Sequence, residues 1–147
     1  MNEKEDPISE YTVKDWITLS VFGVLWIVAF FTECTADNEK FVFKVRAENR
    51  GKFITTGVWR YSRHPNYFGE ILMWWCICLI VICADFEDNK LYGSLAAPAM
   101  TMLLLLGITG IPMLDAIGMK RYGHIKEYQD YCKNTSLLIP WCPKKSS

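Results

Sequence analysis

The sequence predicts an all-α fold, a polytopic integral membrane protein of about three transmembrane helices with cytosolic amphipathic helices attached. The first observation behind this is the spacing of charge. Residues 16–32 hold 17 positions without a charge, residues 65–84 hold 20 whose only charge is Glu70, and residues 91–114 hold 24 with none. A helix rising ~1.5 Å per residue needs about 20 residues to cross ~30 Å of hydrocarbon. A soluble chain of 147 residues has no core able to hide three such segments. The second observation is where the charges lie. Sixteen basic and sixteen acidic residues cancel in sum, yet they sort by connection. The tail before the first segment and "DFEDNK" after the second are acidic. The first long connection is basic, with Lys40, Lys44, Arg46, Arg50, Lys52, Arg60 and Arg63, and so is the end of the chain. Positive charge marks the cytosolic side. The expectation is a non-cytosolic tail over residues 1–15 and a single membrane domain over 16–147, with a cytosolic loop at 33–64 and a cytosolic C-terminal segment at 115–147.

The first helix is expected near residues 16–32. The opening "MNEKEDPISE" is acidic and lacks the basic start of a cleavable signal peptide, so this segment is expected to stay as a membrane helix. "ADNEKFVFKVRAENRGKF" then reads as a separate amphipathic helix ending near Gly51, with Phe41, Val42, Val45 and Ala47 set against Lys40, Lys44 and Arg46. Its basic face suits an anionic leaflet, a ligand, or both. "ITTG" makes a turn, and Pro65 starts the second helix, where a proline's missing N–H costs nothing.

The third segment, near 91–114, contains Pro98, Gly107, Gly110 and Pro112. Prolines there predict kinks, and small residues allow close helix contact. The tyrosine-rich "KRYGHIKEYQDYCKNTSLLIPW" reads as an interfacial helix that returns to the membrane. The final "KKSS" resembles a dilysine address, which predicts the endoplasmic reticulum membrane and a cytosolic C-terminus. The six cysteines show neither a disulfide framework nor metal-ligand spacing with the two histidines. No nucleic-acid partner is expected.

Chemistry concentrates in "WRYSRHPNYFGE", residues 59–70. A helix N-terminus attracts anions, and Arg60 and Arg63 add fixed charge that can grip phosphate. The cations alone equally suit a topology anchor. Arg63, Asn66 and Glu70 stand at i, i+3 and i+7 and are expected to share one face, with Tyr67 beside them. Glu70 lies five residues past Pro65, ~7.5 Å into the helix, where an ionisable group should face a polar cavity or a partner.

"GKFITTGVWRYSRHPNYFGEILMWW" resembles the signature of the membrane family that contains the steroid 5-alpha-reductase C-terminal domain and its uncharacterised relatives. "ADNEKFVFK" upstream and "GIPMLD", "KRYG" and "EYQDYCKNTSLLIPW" downstream match in the same order, covering roughly residues 34–143. The resemblance implies NADPH held on the cytosolic side and reduction of a carbon–carbon double bond conjugated to a carbonyl in a steroid-like or other lipid substrate. Matched by motif, Asp37 and Lys44 take nucleotide-contacting positions, and Arg63, His64, Asn66, Tyr67 and Glu70 form the central cofactor motif. Asp115 takes the acidic position after the third helix, and Tyr122 the aromatic of "RYG". Tyr67 and Glu70 are the implied catalytic residues. Some relatives carry basic residues where this chain has Leu114 and Ala116. Reductases of this kind have further N-terminal helices that line the lipid pocket, so the resemblance implies either a second copy or partner chain completing it, or a fragment, an isoform or a non-catalytic relative. Two other functions share the motif. Membrane methyltransferases of the isoprenylcysteine and phospholipid type carry "RHP…Y…G" and bind S-adenosylmethionine, and a non-catalytic remnant would keep the fold alone.

Overall fold

A computed structural model describes residues 12–84 and 90–144 of the chain. Most of the acidic tail and of "DFEDNK", together with the last three residues of "KKSS", lie outside the described residues. Every regular element among those described is helical. Three helical stretches are long and apolar enough to cross a membrane: Val13–Val45, Pro65–Cys83 and Gly93–Tyr122.

Helix α1 (Val13–Val45) opens on a capping box. The Thr12 N–H donates to Asp15 Oδ2 at 2.7 Å, and the Asp15 N–H donates back to Thr12 Oγ1. It then runs 33 residues without a break, ~50 Å against ~30 Å of hydrocarbon. This corrects the expectation of a helix over 16–32 followed by a separate amphipathic helix to Gly51. No glycine or proline interrupts residues 24–45, so nothing in the backbone ends the helix where the charges begin. Asn49 stops it instead, donating its side-chain amide to the Phe43 carbonyl at 2.9 Å. The apolar face assigned to the cytosolic part differs too: Phe41 and Val45 are exposed, and Phe43 is half-buried.

Helix α2 (Pro65–Ala84) starts and ends where the apolar run charged only at Glu70 does. It is the hub of the fold, packed most extensively on α1 and next on α3 (Lys90–Met102). Gly69 makes the α1 contact possible: a Cβ there would sit 2.7 Å from the Ala29 carbonyl oxygen and 3.0 Å from the Glu33 nitrogen. Cys76 and Cys78 are buried in α2 and behave as small apolar residues. On α1, Trp16, Ile17, Val24, Ile27, Val28 and Phe31 are exposed, a continuous apolar surface of the kind a lipid-facing helix presents.

The third segment is not one helix. Pro98 is fully buried within α3. A π-helical turn, Leu103–Ile108, follows, and the Thr109 and Gly110 N–H groups both donate to the Leu104 carbonyl at 3.0 Å. Helix α4 (Ile111–Tyr122) restarts with Pro112 in its first turn. Gly110 therefore lies against the backbone of Leu105 in its own turn, which corrects its assignment to helix–helix packing. Helix α5 (Lys126–Asn134) closes the order.

Candidate functional site

The segment before α2 is fastened from two sides. Towards α1, the Val58 N–H donates to Glu39 Oε2 and the Trp59 indole N–H donates to the Ala36 carbonyl, each at 3.0 Å. Gly57, at φ 60°, turns the chain into this short 3-10 helix. Towards the C-terminal end, the Arg63 N–H donates to the Ser136 carbonyl at 2.8 Å and the Trp141 N–H to the Tyr61 carbonyl at 3.0 Å. Ser62, fully buried, donates to the Leu138 carbonyl at 2.7 Å and accepts from the His64 N–H at 3.1 Å. The Tyr131 hydroxyl donates to the Trp59 carbonyl at 2.6 Å. "RHP" is thus held as a rigid corner.

From that corner Arg63 and His64 reach α4. Asp115 Oδ2 lies 3.3 Å from Arg63 Nη1, and Asp115 Oδ1 lies 3.2 Å from His64 Nε2. The first is an ion pair; the second is a hydrogen bond whose charge depends on the protonation of His64. Burial pushes the His64 imidazole below its ordinary value, against the hydrogen bond and charge of Asp115, which pull it up. The ring is neutral near pH 7, with Nε2–H donating to Asp115. Arg63 Nε is buried and has no partner.

A cleft of about 240 Å³ opens beside this pair. Its cations come from separate elements: Lys40 and Lys44 from α1, Lys52 from the following loop, Arg63 from the corner and Arg121 from α4. Its walls are aromatic, with Phe53 contacting Tyr122, Tyr128 and Tyr131 at ring-centroid distances of 5.5, 4.9 and 6.1 Å. Lys40 Nζ sits 4.8 Å from the centre of the Trp59 ring. Burial, with Cys132 adding, pushes the Tyr128 phenol up to about 12, and burial raises Tyr131 as well. Both remain neutral donors at physiological pH. Tyr122, matched by motif to a cofactor-contacting position, lines the cleft together with Tyr128 and Tyr131 of the tyrosine-rich segment.

On α1 and α2 lies a second polar group. Asn66 donates its side-chain amide to Asp37 Oδ1 at 3.0 Å, which leaves Asn66 Oδ1 buried and without a partner. Glu33 Oε2, one helical turn before Asp37, is also buried without a partner, and Glu70 interacts electrostatically with Glu33. Tyr67 relates this group to the cleft, its ring stacked on His64 at 5.6 Å and 10°.

The structure thus divides the residues singled out from sequence. Lys44, Arg63, His64, Asp115 and Tyr122 line the cleft, while Asp37, Asn66 and Glu70 belong to the α1–α2 group and Tyr67 stands between. The shared face of Arg63, Asn66 and Glu70 is corrected. Arg63 precedes the helix and is aimed by its bond to Ser136, so it pairs with α4 while Asn66 pairs with α1. Glu33, Lys40, Lys52, Phe53, Trp59 and Arg121 escaped the sequence reading as site residues. Lys52 and Arg121 carried only a topological signal, Lys40 a basic face suited to a leaflet or a ligand alike, and Glu33 sat at the assumed end of a span.

Residues 4–135 match the model of the DUF1295 family, proteins of unknown function. An uncharacterised protein of Schizosaccharomyces pombe is 24% identical over 143 residues, with 79% of this chain and 37% of the relative aligned. The chain therefore spans about a third of the length of that curated relative. No solved structure matches it.

Proposed function

The chain belongs to the DUF1295 family, and on that premise we propose that it is a membrane-embedded, NADPH-dependent reductase of a conjugated double bond in a steroid-like or other lipid substrate. One observation carries the reading: a cationic, aromatic-walled cleft lies next to a polar α1–α2 group holding buried acceptors without donors. The residues fit the cofactor at both ends. Aromatic walls and cations suit a nucleotide with its phosphates. Two orphaned acceptors, Asn66 Oδ1 and Glu33 Oε2, call for N–H groups, which a primary carboxamide supplies. Lys44, Arg63, His64 and Tyr122 would hold the nucleotide, and Asp37, Asn66 and Glu70 the nicotinamide end. When bound, NADPH supplies the reducing equivalent for the double bond.

The chain's own residues then orient and protect. Asp115 holds Arg63 and His64 in place, so their positions do not depend on the ligand. Neutral His64 backs the Tyr67 ring, and the Tyr67 Oη–H is the group that would donate to a substrate carbonyl oxygen as negative charge develops there. Glu70 would steady that hydroxyl and the carboxamide. The close α1–α2 contact at Gly69 holds together the two helices that carry the polar group.

The test uses membranes from cells expressing the chain, given an enone lipid and NADPH deuterated at its transferable hydrogen. Deuterium should enter the saturated product and be lost in Asn66→Ala. Methyl transfer from labelled S-adenosylmethionine in the same membranes, without deuterium transfer, would refute the reductase. The proposed site is the endoplasmic reticulum membrane with a cytosolic C-terminus, resting on "KKSS" and the charge pattern. A C-terminal epitope should be reached by antibody after plasma-membrane permeabilisation alone.

A further inference from the structure

We infer that the segment after α5 is a binding site for an acidic phospholipid, with Leu137, Ile139 and Trp141 in the bilayer interface and Lys133 and Lys144 on the headgroup phosphate. This segment is fixed against the corner that leads into α2. The Arg63 N–H donates to the Ser136 carbonyl at 2.8 Å, Ser62 Oγ to the Leu138 carbonyl at 2.7 Å and the Trp141 N–H to the Tyr61 carbonyl at 3.0 Å. Arg63 and His64 lead directly into Pro65, the first residue of a helix long and apolar enough to cross a membrane. Residues 136–141 therefore lie level with the mouth of that helix, where hydrocarbon gives way to headgroups.

At that level every second side chain is turned outward. Leu137 is 42%, Ile139 62% and Trp141 75% exposed, while Leu138 and Pro140 between them are half-buried. An apolar row of this kind marks a membrane contact, and tryptophan in particular settles at headgroup depth. Beside Trp141 opens a cavity of about 270 Å³ lined by Lys133, Asn134, Thr135, Ser136, Trp141 and Lys144. Its lining residues offer two ammonium groups, an amide and two hydroxyls, and include no carboxylate. Neither lysine has a carboxylate partner among the described residues. The Lys144 N–H donates to the Asn134 carbonyl at 3.0 Å, which closes the loop and brings the two lysines to one cavity. Ammonium and hydroxyl donors are what a phosphate accepts.

A simpler account exists for part of this. Lys133 stands in the last turn of α5, where a cation favours the helix dipole. That explains Lys133 alone, and neither Lys144 nor the apolar row beside both. A protein partner could cover the row as well, but its level at the mouth of α2 and its flanking cations both match a lipid surface. The cavity shares no lining residue with the cleft, so the site stands whether or not the cleft binds a nucleotide.

The experiment places photoreactive p-benzoylphenylalanine at position 139 of the full chain. The chain is reconstituted in nanodiscs of phosphatidylcholine with about one-fifth phosphatidylserine and irradiated, and mass spectrometry identifies what was captured. A phospholipid adduct is expected, with phosphatidylserine captured about fivefold or more above its share of the bilayer, as two lysines beside an acidic headgroup imply. The enrichment should shrink with added salt, because both lysines are exposed. Lys133→Ala combined with Lys144→Ala should abolish the enrichment while leaving total lipid capture unchanged, which also shows that the segment is still in place. Lys120→Ala, which removes a charge outside the cavity, should leave the enrichment intact. Absence of a lipid adduct, capture of another protein chain instead, capture of phosphatidylserine at its share alone, or an enrichment that survives the double variant overturns this inference. None of these results bears on the reductase reading.

Discussion

Asp115→Ala should be the most informative single deletion at the corner. The carboxylate serves two partners of unlike burial. His64 is 6% exposed and its Nε2–H has Asp115 as acceptor at 3.2 Å. Removing that acceptor strands a buried donor, at a cost of about 1–3 kcal/mol. The Arg63 contact is 3.3 Å long, beyond the usual charge-assisted range, and Asp115 is about a third exposed, so this half adds at most about 1 kcal/mol. The sum is about 1–4 kcal/mol, which at ~3 °C per kcal/mol lowers Tm by roughly 3–12 °C. Asp115→Asn keeps an oxygen for His64 and loses only the charge, so it should recover most of that. Thermal unfolding in one detergent, followed by tryptophan fluorescence, measures both. Equal losses for Ala and Asn, or no loss for either, would refute the division of roles.

Three further outcomes follow from other parts of the fold. Gly69→Ala should weaken the α1–α2 contact by about 1–3 kcal/mol, an overpacking cost, because the new methyl meets backbone that cannot rotate away; denaturant unfolding reads it. Stability should also fall as pH drops below the ordinary histidine value of 6.5, since the unfolded chain takes up a proton there that buried His64 refuses. Above that pH the contribution is complete, and His64→Gln should flatten this part of the pH–stability curve. Trp59→Phe should cost about 0.5–1.5 kcal/mol by removing the indole N–H bond to the Ala36 carbonyl, which keeps its helical partner, and should loosen the corner enough to weaken nucleotide binding in a titration.

Helix α2 was legible to the residue, because a proline starts it and its apolar run, charged only at Glu70, ends where the helix does. The length of α1 was not. Charge distribution locates the edge of a membrane, but a helix ends only where its backbone is broken, and Asn49 rather than Glu48 or Arg46 supplies that stop. The π-helical turn at Leu103–Ile108 left no trace either, since a run of leucines suits π and α geometry alike. At the site, Arg63, His64 and Asp115 could each be singled out, but their meeting depends on how α4 returns beside α2. That long-range placement is written in packing rather than spacing. Lys52 and Arg121 looked like topology markers for the same reason: a cation's counter-charge, or lack of one, appears only in three dimensions.

The central claim is that the cleft and the α1–α2 group hold one nicotinamide nucleotide. Titrating the purified chain in detergent with NADPH, NADH and S-adenosylmethionine tests it most directly. Saturable NADPH binding that is lost in both Arg63→Ala, at the cleft, and Asn66→Ala, at the α1–α2 group, is the predicted result. Binding of S-adenosylmethionine alone, or NADPH binding indifferent to Asn66, would contradict it.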